Sequence, residues 1–303
     1  MKAVVPWISE ELRGNIMSRK LLAKPLIKQI YADLKAEIEE NDWHPHLVIL
    51  LIGEDPAAKY YVENLQKKGK KKGITVSTKL FDITITQTEL LWEIETLNEA
   101  ANVDGIMLQK PLPKHLDESE IVMKINPDKD VDGFHPLNMG NLVLGRDGFI
   151  PCTPNAVLKI LDFYEIETSG KHIVVIGRSD IVGKPLANLL LRKNSTGNAT
   201  VTICHSRTKN LAEHTLQADI VVAAIGKAEF VKAEMLNESA VVIDVGVNQI
   251  PDPEKGYRYV GDVEFQASFE KVDSITPVPG GVGSVTTAML LSNVLKAYKK
   301  LRK

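Results

Sequence analysis

The stretch KHIVVIGRSDIVGKPLANLL, Lys171 to Leu190, constrains the fold more than any other. Its apolar run Ile173 to Ile176 is too short for a helix and rich in β-branched side chains, which predicts a strand buried in a parallel sheet. Gly177 closes that strand. After the turn Arg178-Ser179-Asp180, Gly183 and Pro185 fit the first turn of a helix, where proline's missing N–H has no partner to lose. The free amides of such a turn favour an anion, so this strand, turn and helix start together suit a dinucleotide pyrophosphate. Gly177 and Gly183 stand six residues apart, unlike G-x-G-x-x-G, so an ordinary strand-to-helix turn stays open as an alternative.

A chain of 303 residues is long enough for two domains, and 44% hydrophobic with 25% charged residues is the composition of a soluble globular protein. The net charge of −2 provides no global basic field, which argues against a nucleic-acid partner. Cys152 and Cys204 are too few for a disulfide framework and lack metal-ligand spacing. The histidines, with His44 and His46 flanking a proline and the rest dispersed, form no metal set either. A reducing, cytoplasmic setting is the default expectation. Residues 1–16 hold a short apolar patch broken by Pro6 and followed by charges, which fits neither an export signal nor a membrane span, and Met17 offers a second candidate start.

Leu22, Leu26, Ile30, Leu34 and Ile38 recur at a step of four and predict an amphipathic helix over Leu21 to Glu40. Strands are predicted at Leu47 to Ile52, Ile74 to Phe81 and Ile106 to Gln109, with helices between them to about Lys72 and from about Thr86 to Ala100. That alternation predicts a parallel α/β domain. Between Asn126 and Pro154 the pattern lapses into turn formers, read as the domain junction, where ligands commonly sit. Further strands follow at Ala199 to Cys204, Asp219 to Ile225 and Ala240 to Val245, and each ends at a small residue able to face a cofactor. Ser274 to Thr286, dense in glycine and proline, reads as a rigid loop lying against a ligand, before an apolar C-terminal helix. No repeat or low-complexity tract is visible.

DGIMLQKPLP at Asp104 to Pro113, KDVDGFH at Lys129 to His135, PCTP at Pro151 to Pro154, GRSDIVGKP from Gly177 and TPVPGGVG at Thr276 to Gly283, in that order, resemble the FolD-type bifunctional methylenetetrahydrofolate dehydrogenase/cyclohydrolases from about Leu21 onward. The resemblance implies an N-terminal extension over 1–20, a folate-binding catalytic domain over 21–150 together with 285–303, and a Rossmann-like NAD(P)-binding domain over 151–284. It also implies a C-terminal helix packed back on the first domain and a homodimer. Carried over by position, Tyr61, Gln109 and Asp132 match the catalytic and folate-binding residues, with Leu65, Leu108 and Lys110 beside them. Pro279, Gly280, Gly281, Val282 and Gly283 match the loop shared by folate and nicotinamide. Gly177, Arg178, Ser179, Gly183, Ser206, Arg207 and Val247 match nucleotide-binding positions.

The chain departs from the family where a lysine is expected one helical turn after the tyrosine, since Leu65 stands there. Moving a hydride from 5,10-methylenetetrahydrofolate to NAD(P) needs no proton transfer at that carbon, but hydrolysing the resulting methenyl cation does. Weak or absent cyclohydrolase activity is therefore expected, unless Lys68, three residues on, or water takes the lysine's part. The lysines from Lys67 to Lys72 read as the solvated end of a helix, or as a site for an acidic substrate tail. Ser284 and Val285 replace the usual proline and methionine, which leaves the glycine loop intact. Cys204-His205-Ser206-Arg207 carries no carboxylate for ribose hydroxyls and offers arginines for a phosphate, which favours NADP over NAD, although Lys193 to Asn198 just before it resembles an insertion. A catalytically silent folate or nucleotide regulator is the alternative of another class, and Leu65 is its sole argument.

Overall fold

The computed structural model describes residues 18–254 and 256–302; the expected extension, as far as Met17, lies outside them. The described residues begin with β1 (Arg19–Lys20) and α1 (Ala23–Asn41), then alternate through β2 (His46–Ile52), α2 (Pro56–Lys70), β3 (Thr75–Phe81), α3 (Gln87–Glu99) and β4 (Gly105–Leu108). Next come α4 (Glu118–Lys124), α5 (Pro136–Val143) and α6 (Cys152–Phe163). A second run holds β5 (His172–Ile176), α7 (Gly183–Leu190), β6 (Thr200–Cys204), α8 (Leu211–Thr215), β7 (Ile220–Ala223) and β8 (Val241–Asp244). The hairpin β9 (Asn248–Asp252) and β10 (Gly256–Val260) follows, then α9 (Phe265–Phe269), β11 (Ser274–Ile275) and α10 (Val282–Leu301).

Two parallel sheets result. The first is three-stranded, β3-β2-β4, and the second is six-stranded, β1-β11-β8-β7-β5-β6. Leu47 to Ile52 in β2 and Ile173 to Ile176 in β5 are buried throughout, as central strands covered on both faces must be. One expected boundary moves. Arg19 and Lys20 pair with Ser274 and Ile275, so they form an edge of the second sheet rather than an appendage to the first domain.

The C-terminal helix does pack back on the first domain, against α6 and α1 and over β2 and β4. It begins at Val282, three residues earlier than expected, and is buried on most sides. Near its far end Lys299 pairs with Glu37 at 2.5 Å, Lys300 with Asp128 at 2.6 Å and Arg302 with the buried Asp104 at 3.0 Å. Helix α6 touches α10 and α1 on one side and α7 on the other, so residues 152–163 are shared between the domains.

Both sheets carry the same polar clamp at their amino edge. In the first, the His46 backbone N–H donates to Asp104 Oδ2 at 2.8 Å, its Nδ1 meets the Asn102 carbonyl at 2.8 Å and its Nε2 meets Ser77 Oγ at 2.7 Å. In the second, the His172 N–H donates to Asp219 Oδ2 at 2.8 Å, its Nδ1 meets the Gln217 carbonyl at 3.1 Å and its Nε2 meets Thr202 Oγ1 at 2.9 Å. A carbonyl only accepts, so Nδ1 bears the hydrogen and Nε2 accepts from the hydroxyl. Each imidazole thereby ties its central strand to both neighbours. This is a structural repeat that the sequence, read as having none, conceals. Replacing His46 or His172 by Phe removes two side-chain hydrogen bonds and is expected to cost about 1 kcal/mol each, with the double variant near the sum because the sites share no partner. Urea midpoints check this, and two variants as stable as the parent contradict it.

Candidate active site

Two residues singled out by the sequence, Tyr61 and Asp132, line one cavity together with Ile181 of the turn after β5. Helix α2 starts on a side-chain cap, Asp55 Oδ1 accepting from the Ala58 N–H at 2.7 Å, with Pro56 in its first turn. Its stripe Ala58, Val62, Leu65 and Gly69 is buried, and a Cβ at Gly69 would come within 2.6 Å of Val76 Cγ2, which shows how closely the helix lies on β3. Tyr61 lies at the border of this stripe, 37% exposed, whereas Leu65 is 1% exposed within the core.

Asp132 is presented by a loop built around the buried Asp130. The Asp130 carboxylate accepts the backbone N–H groups of Gly133, Phe134 and His135 and the Asn138 side-chain amide, at 2.8 to 3.2 Å. Gly133 at φ 74° completes the turn, and a Cβ there would meet Pro151 N at 2.8 Å. Asn293 of α10 donates to the Val131 carbonyl at 2.8 Å, fixing the loop to the C-terminal helix. Asp132 itself is half-buried, and its carboxylate has no hydrogen-bond or ion-pair partner among the described residues. Burial, and then the neighbouring Asp130, push it up to about 7 against the opposing pull of Lys110. Burial also raises the Tyr61 phenol, Asp132 and Cys152 add to this, and a hydrogen bond with the Thr287 hydroxyl opposes it.

Gln109 follows β4, its N–H donating to the Leu50 carbonyl at 3.0 Å. Its Nε2 donates to the Lys110 carbonyl at 2.8 Å, and its Oε1 is buried with no donor. A buried acceptor without a partner costs about 1–3 kcal/mol, so this oxygen is suited to a ligand N–H. Lys110 Nζ pairs with Glu118 at 2.6 Å and lies 4.4 Å from the centre of the Phe134 ring.

The second domain closes the cleft. Gly177 and Gly183 are required by close approach: a Cβ on Gly177 would lie 2.1 Å from the Ala224 carbonyl oxygen, and one on Gly183 2.1 Å from that of Gly177. Arg178, Ser179, Ser206 and Arg207 are exposed together at the ends of β5 and β6, and neither guanidinium has an ion-pair partner among the described residues. Gly280 adopts φ 104° in the loop before α10, and its carbonyl accepts the Ala23 N–H at 2.9 Å. Exposed Val247 comes near Gly283, which joins the nucleotide edge to this loop. A cavity of about 170 Å³ is lined by Tyr61, Asp132 and Cys152 from one side and Ile181 of the glycine turn from the other. Larger grooves, of about 500 Å³ between α1, α6 and α10 and about 790 Å³ beside α3, contain none of these groups.

Three expected substrate contacts do not offer a side chain to the cleft. Leu65, Leu108 and Val282 are each packed into the core, at 1%, 4% and 1% exposure, because an apolar side chain on an element that lies on a core turns inward. Lys68 is exposed and outside the cavity lining. The sequence reading missed Asp244 and Asp262. Asp262 accepts three backbone N–H groups at Ile225 to Lys227 and the Asn248 amide, while Asp244 accepts those of Gly246, Asp262 and Val263. These two carboxylates shape the loops after β7 and β8. Their only signal was a glycine beside each: a Cβ on Gly261 would fall 1.8 Å from Asp244 Oδ2 and one on Gly246 2.2 Å from Asp262 Oδ1.

Residues 21–132 match the family model described as tetrahydrofolate dehydrogenase/cyclohydrolase, catalytic domain, and residues 151–302 that of the NAD(P)-binding domain. The chain is 48% identical over 284 residues to a protein of Chloroherpeton thalassium named bifunctional protein FolD, covering 91% of this chain and 97% of that one. The crystal structure of the Campylobacter jejuni bifunctional FolD dehydrogenase/cyclohydrolase matches with a TM-score of 0.88 at 42% identity, over 93% of this chain and 99% of that one. The Trypanosoma brucei dehydrogenase-cyclohydrolase, solved with NADP and an inhibitor, matches with a TM-score of 0.87 at 36% identity, over 93% and 98%. The chain belongs to the tetrahydrofolate dehydrogenase/cyclohydrolase family.

Proposed function

We propose that the protein oxidises 5,10-methylenetetrahydrofolate with NADP and hydrolyses the methenyl product to 10-formyltetrahydrofolate in the same cleft. The observation that carries this reading is two acceptors without donors among the described residues, the buried Gln109 Oε1 and the Asp132 carboxylate, the latter lining a cavity with Ile181 of the glycine turn. Pterin rings present a donor-rich edge, and two acceptors without donors are its complement. Tyr61 supplies an aromatic face along the ligand. When bound, NADP takes up the hydride. The chain's part is to hold the two ligands against each other, with the turn Arg178 to Ile181 before α7 at the pyrophosphate and the loop Pro279 to Gly283 between the reacting rings. Arg178, Ser206 and Arg207, with no carboxylate among them at the end of β6, favour the phosphate of NADP; NAD is the alternative.

The expectation of weak or absent cyclohydrolase finds no support among the relatives, whose names are bifunctional, and two activities are the better supported reading. One observation favours oxidation alone: Leu65 lies in the core and cannot exchange a proton. Mixing the protein with methylenetetrahydrofolate and NADP or NAD, and separately following the decay of methenyltetrahydrofolate, decides among the readings. Reduction of NADP together with enzyme-dependent decay is expected. Reduction without accelerated decay leaves a dehydrogenase only, and neither activity leaves a silent binding protein.

We also infer a homodimer through the first sheet's outer edge. Among the described residues strand β3 has no neighbour on one side, and Leu80, Ile83 and Trp92 are 53%, 60% and 69% exposed beside it. An open edge flanked by apolar side chains is suited to a second copy of itself. Two unpaired, buried thiols fit a cytoplasmic setting. Trp92→Glu is expected to convert a dimer to a monomer on size-exclusion chromatography with light scattering; a parent that runs as a monomer contradicts the inference.

A further inference from the structure

Two buried carboxylates carry the exposed loops after β7 and β8, and the topology of the second sheet places those loops beside the hydride acceptor. The strand order reverses at β5, with β6 on one side of it and β7, β8 and β11 on the other. In such a sheet the ligand crevice lies at that reversal, over the carboxyl ends of the strands, between the turn after β5 and the loop after β7. The two walls touch: a Cβ on Gly177 would lie 2.1 Å from the Ala224 carbonyl oxygen. A dinucleotide with its adenosine end beside Ser206 and Arg207, at the end of β6, has its nicotinamide end on the opposite side, among the loops after β7, β8 and β11.

Asp262 holds that side together. Fully buried, it accepts the N–H groups of Ile225 at 2.7 Å and Gly226 at 2.8 Å on Oδ2. Its Oδ1 accepts the Lys227 N–H and the Asn248 side-chain amide, both at 2.9 Å. Gly226 at φ 70° turns three consecutive N–H groups toward this one carboxylate, the concave arrangement by which a backbone binds an anion. Asp244 continues the network. Its Oδ1 accepts the N–H groups of Gly246 at 3.0 Å and Asp262 at 2.9 Å, and its Oδ2 that of Val263 at 2.9 Å. The Asp244 N–H in turn donates at 2.7 Å to the hydroxyl of Thr276, at the root of the loop Pro279 to Gly283. One chain of hydrogen bonds therefore joins the loops after β7, β8 and β11, while Gly226, Lys227 and Val247 stay exposed at their tips.

We propose that Asp262 is a positioning residue for hydride transfer, orienting the nicotinamide ring through the loops after β7 and β8 while Arg178, Ser206 and Arg207 supply the affinity for the rest of the dinucleotide. The proposal rests on the dehydrogenase reading above. Buried beneath the loops, Asp262 acts only through them. What it sets is the distance and angle between the methylene carbon and the ring that takes its hydride, and a displacement of about 1 Å there costs about a hundredfold in rate. The network requires a carboxylate. An asparagine offers one accepting oxygen in place of two and turns a donor, its amide, on N–H groups that are themselves donors, so part of the loop is released.

Two measurements on the full-length protein test this: kcat for methylenetetrahydrofolate oxidation at saturating NADP, and calorimetric titration with NADP alone, which gives both the dissociation constant and the number of sites per chain. For Asp262→Asn, kcat is expected to fall about a hundredfold, with the dissociation constant within about threefold of the parent's and the number of sites unchanged. Asn248→Ala removes one of the four donors to Asp262 and is expected to lower kcat about fivefold with the same binding; it decides the matter if Asp262→Asn does not fold. A carboxylate that served stability alone would lower kcat and the number of sites by the same factor, which overturns the proposal. So does a kcat equal to the parent's in either folded variant, or a loss confined to the dissociation constant. A parent that binds NADP and oxidises nothing overturns the dehydrogenase reading, and this proposal with it.

Discussion

The buried carboxylate of Asp130 is the constraint on which the cleft depends. At 2% exposure it is tolerable only because three backbone N–H groups and the Asn138 amide occupy it. Those bonds force the chain to turn at Gly133, and the turn leaves Asp132 lining the cavity without a hydrogen-bond or ion-pair partner among the described residues. A satisfied carboxylate thus holds an unsatisfied one two residues away. The second is costly to the folded protein: with its proton affinity raised, its penalty is absent at low pH, grows as pH rises from the ordinary carboxylate range, and is complete above about 7. A group retained at such a cost, in a cavity, is what a working site requires.

Much of the fold was legible because regular elements repeat apolar residues at fixed periods. From β2 to β4 the strands and helices fall within a residue or two of their expected places, since Leu47 to Ile52 and the cap at Asp55-Pro56 are local signals. The hairpin of β9 and β10 was not legible: its residues are largely exposed and carry no apolar alternation. Helix α5 was hidden among turn formers, because its start depends on His135 Nδ1 accepting from the Leu137 N–H and its seating on Asn138 reaching Asp130 and Pro127. The histidine clamps were invisible for the same reason, their partners lying 31 and 58 residues away in one sheet and 30 and 47 in the other.

The candidate site was legible as motifs and not as roles. Tyr61 and Asp132 line one cavity, with Ile181 of the glycine turn across from them. Helical spacing placed Leu65 on the same face as Tyr61, yet four residues leave about 40° of rotation, enough for an apolar side chain to enter the core while a phenol reaches the cleft. The position that drew most attention in the sequence therefore lies behind the site. The cation that bears on Asp132 is Lys110, which the resemblance placed among the substrate-binding residues.

The central claim is that two half-sites, one on each sheet, meet at the cleft between the domains and hold two ligands face to face. A crystal structure with NADP and an unreactive folate analogue tests it most directly. The account predicts the pterin edge within hydrogen-bond reach of Gln109 Oε1 and Asp132, the pyrophosphate at the turn Arg178 to Ile181, and the nicotinamide against Pro279 to Gly283. A pterin bound in the groove between α1, α6 and α10, or anywhere out of reach of Asp132, contradicts it.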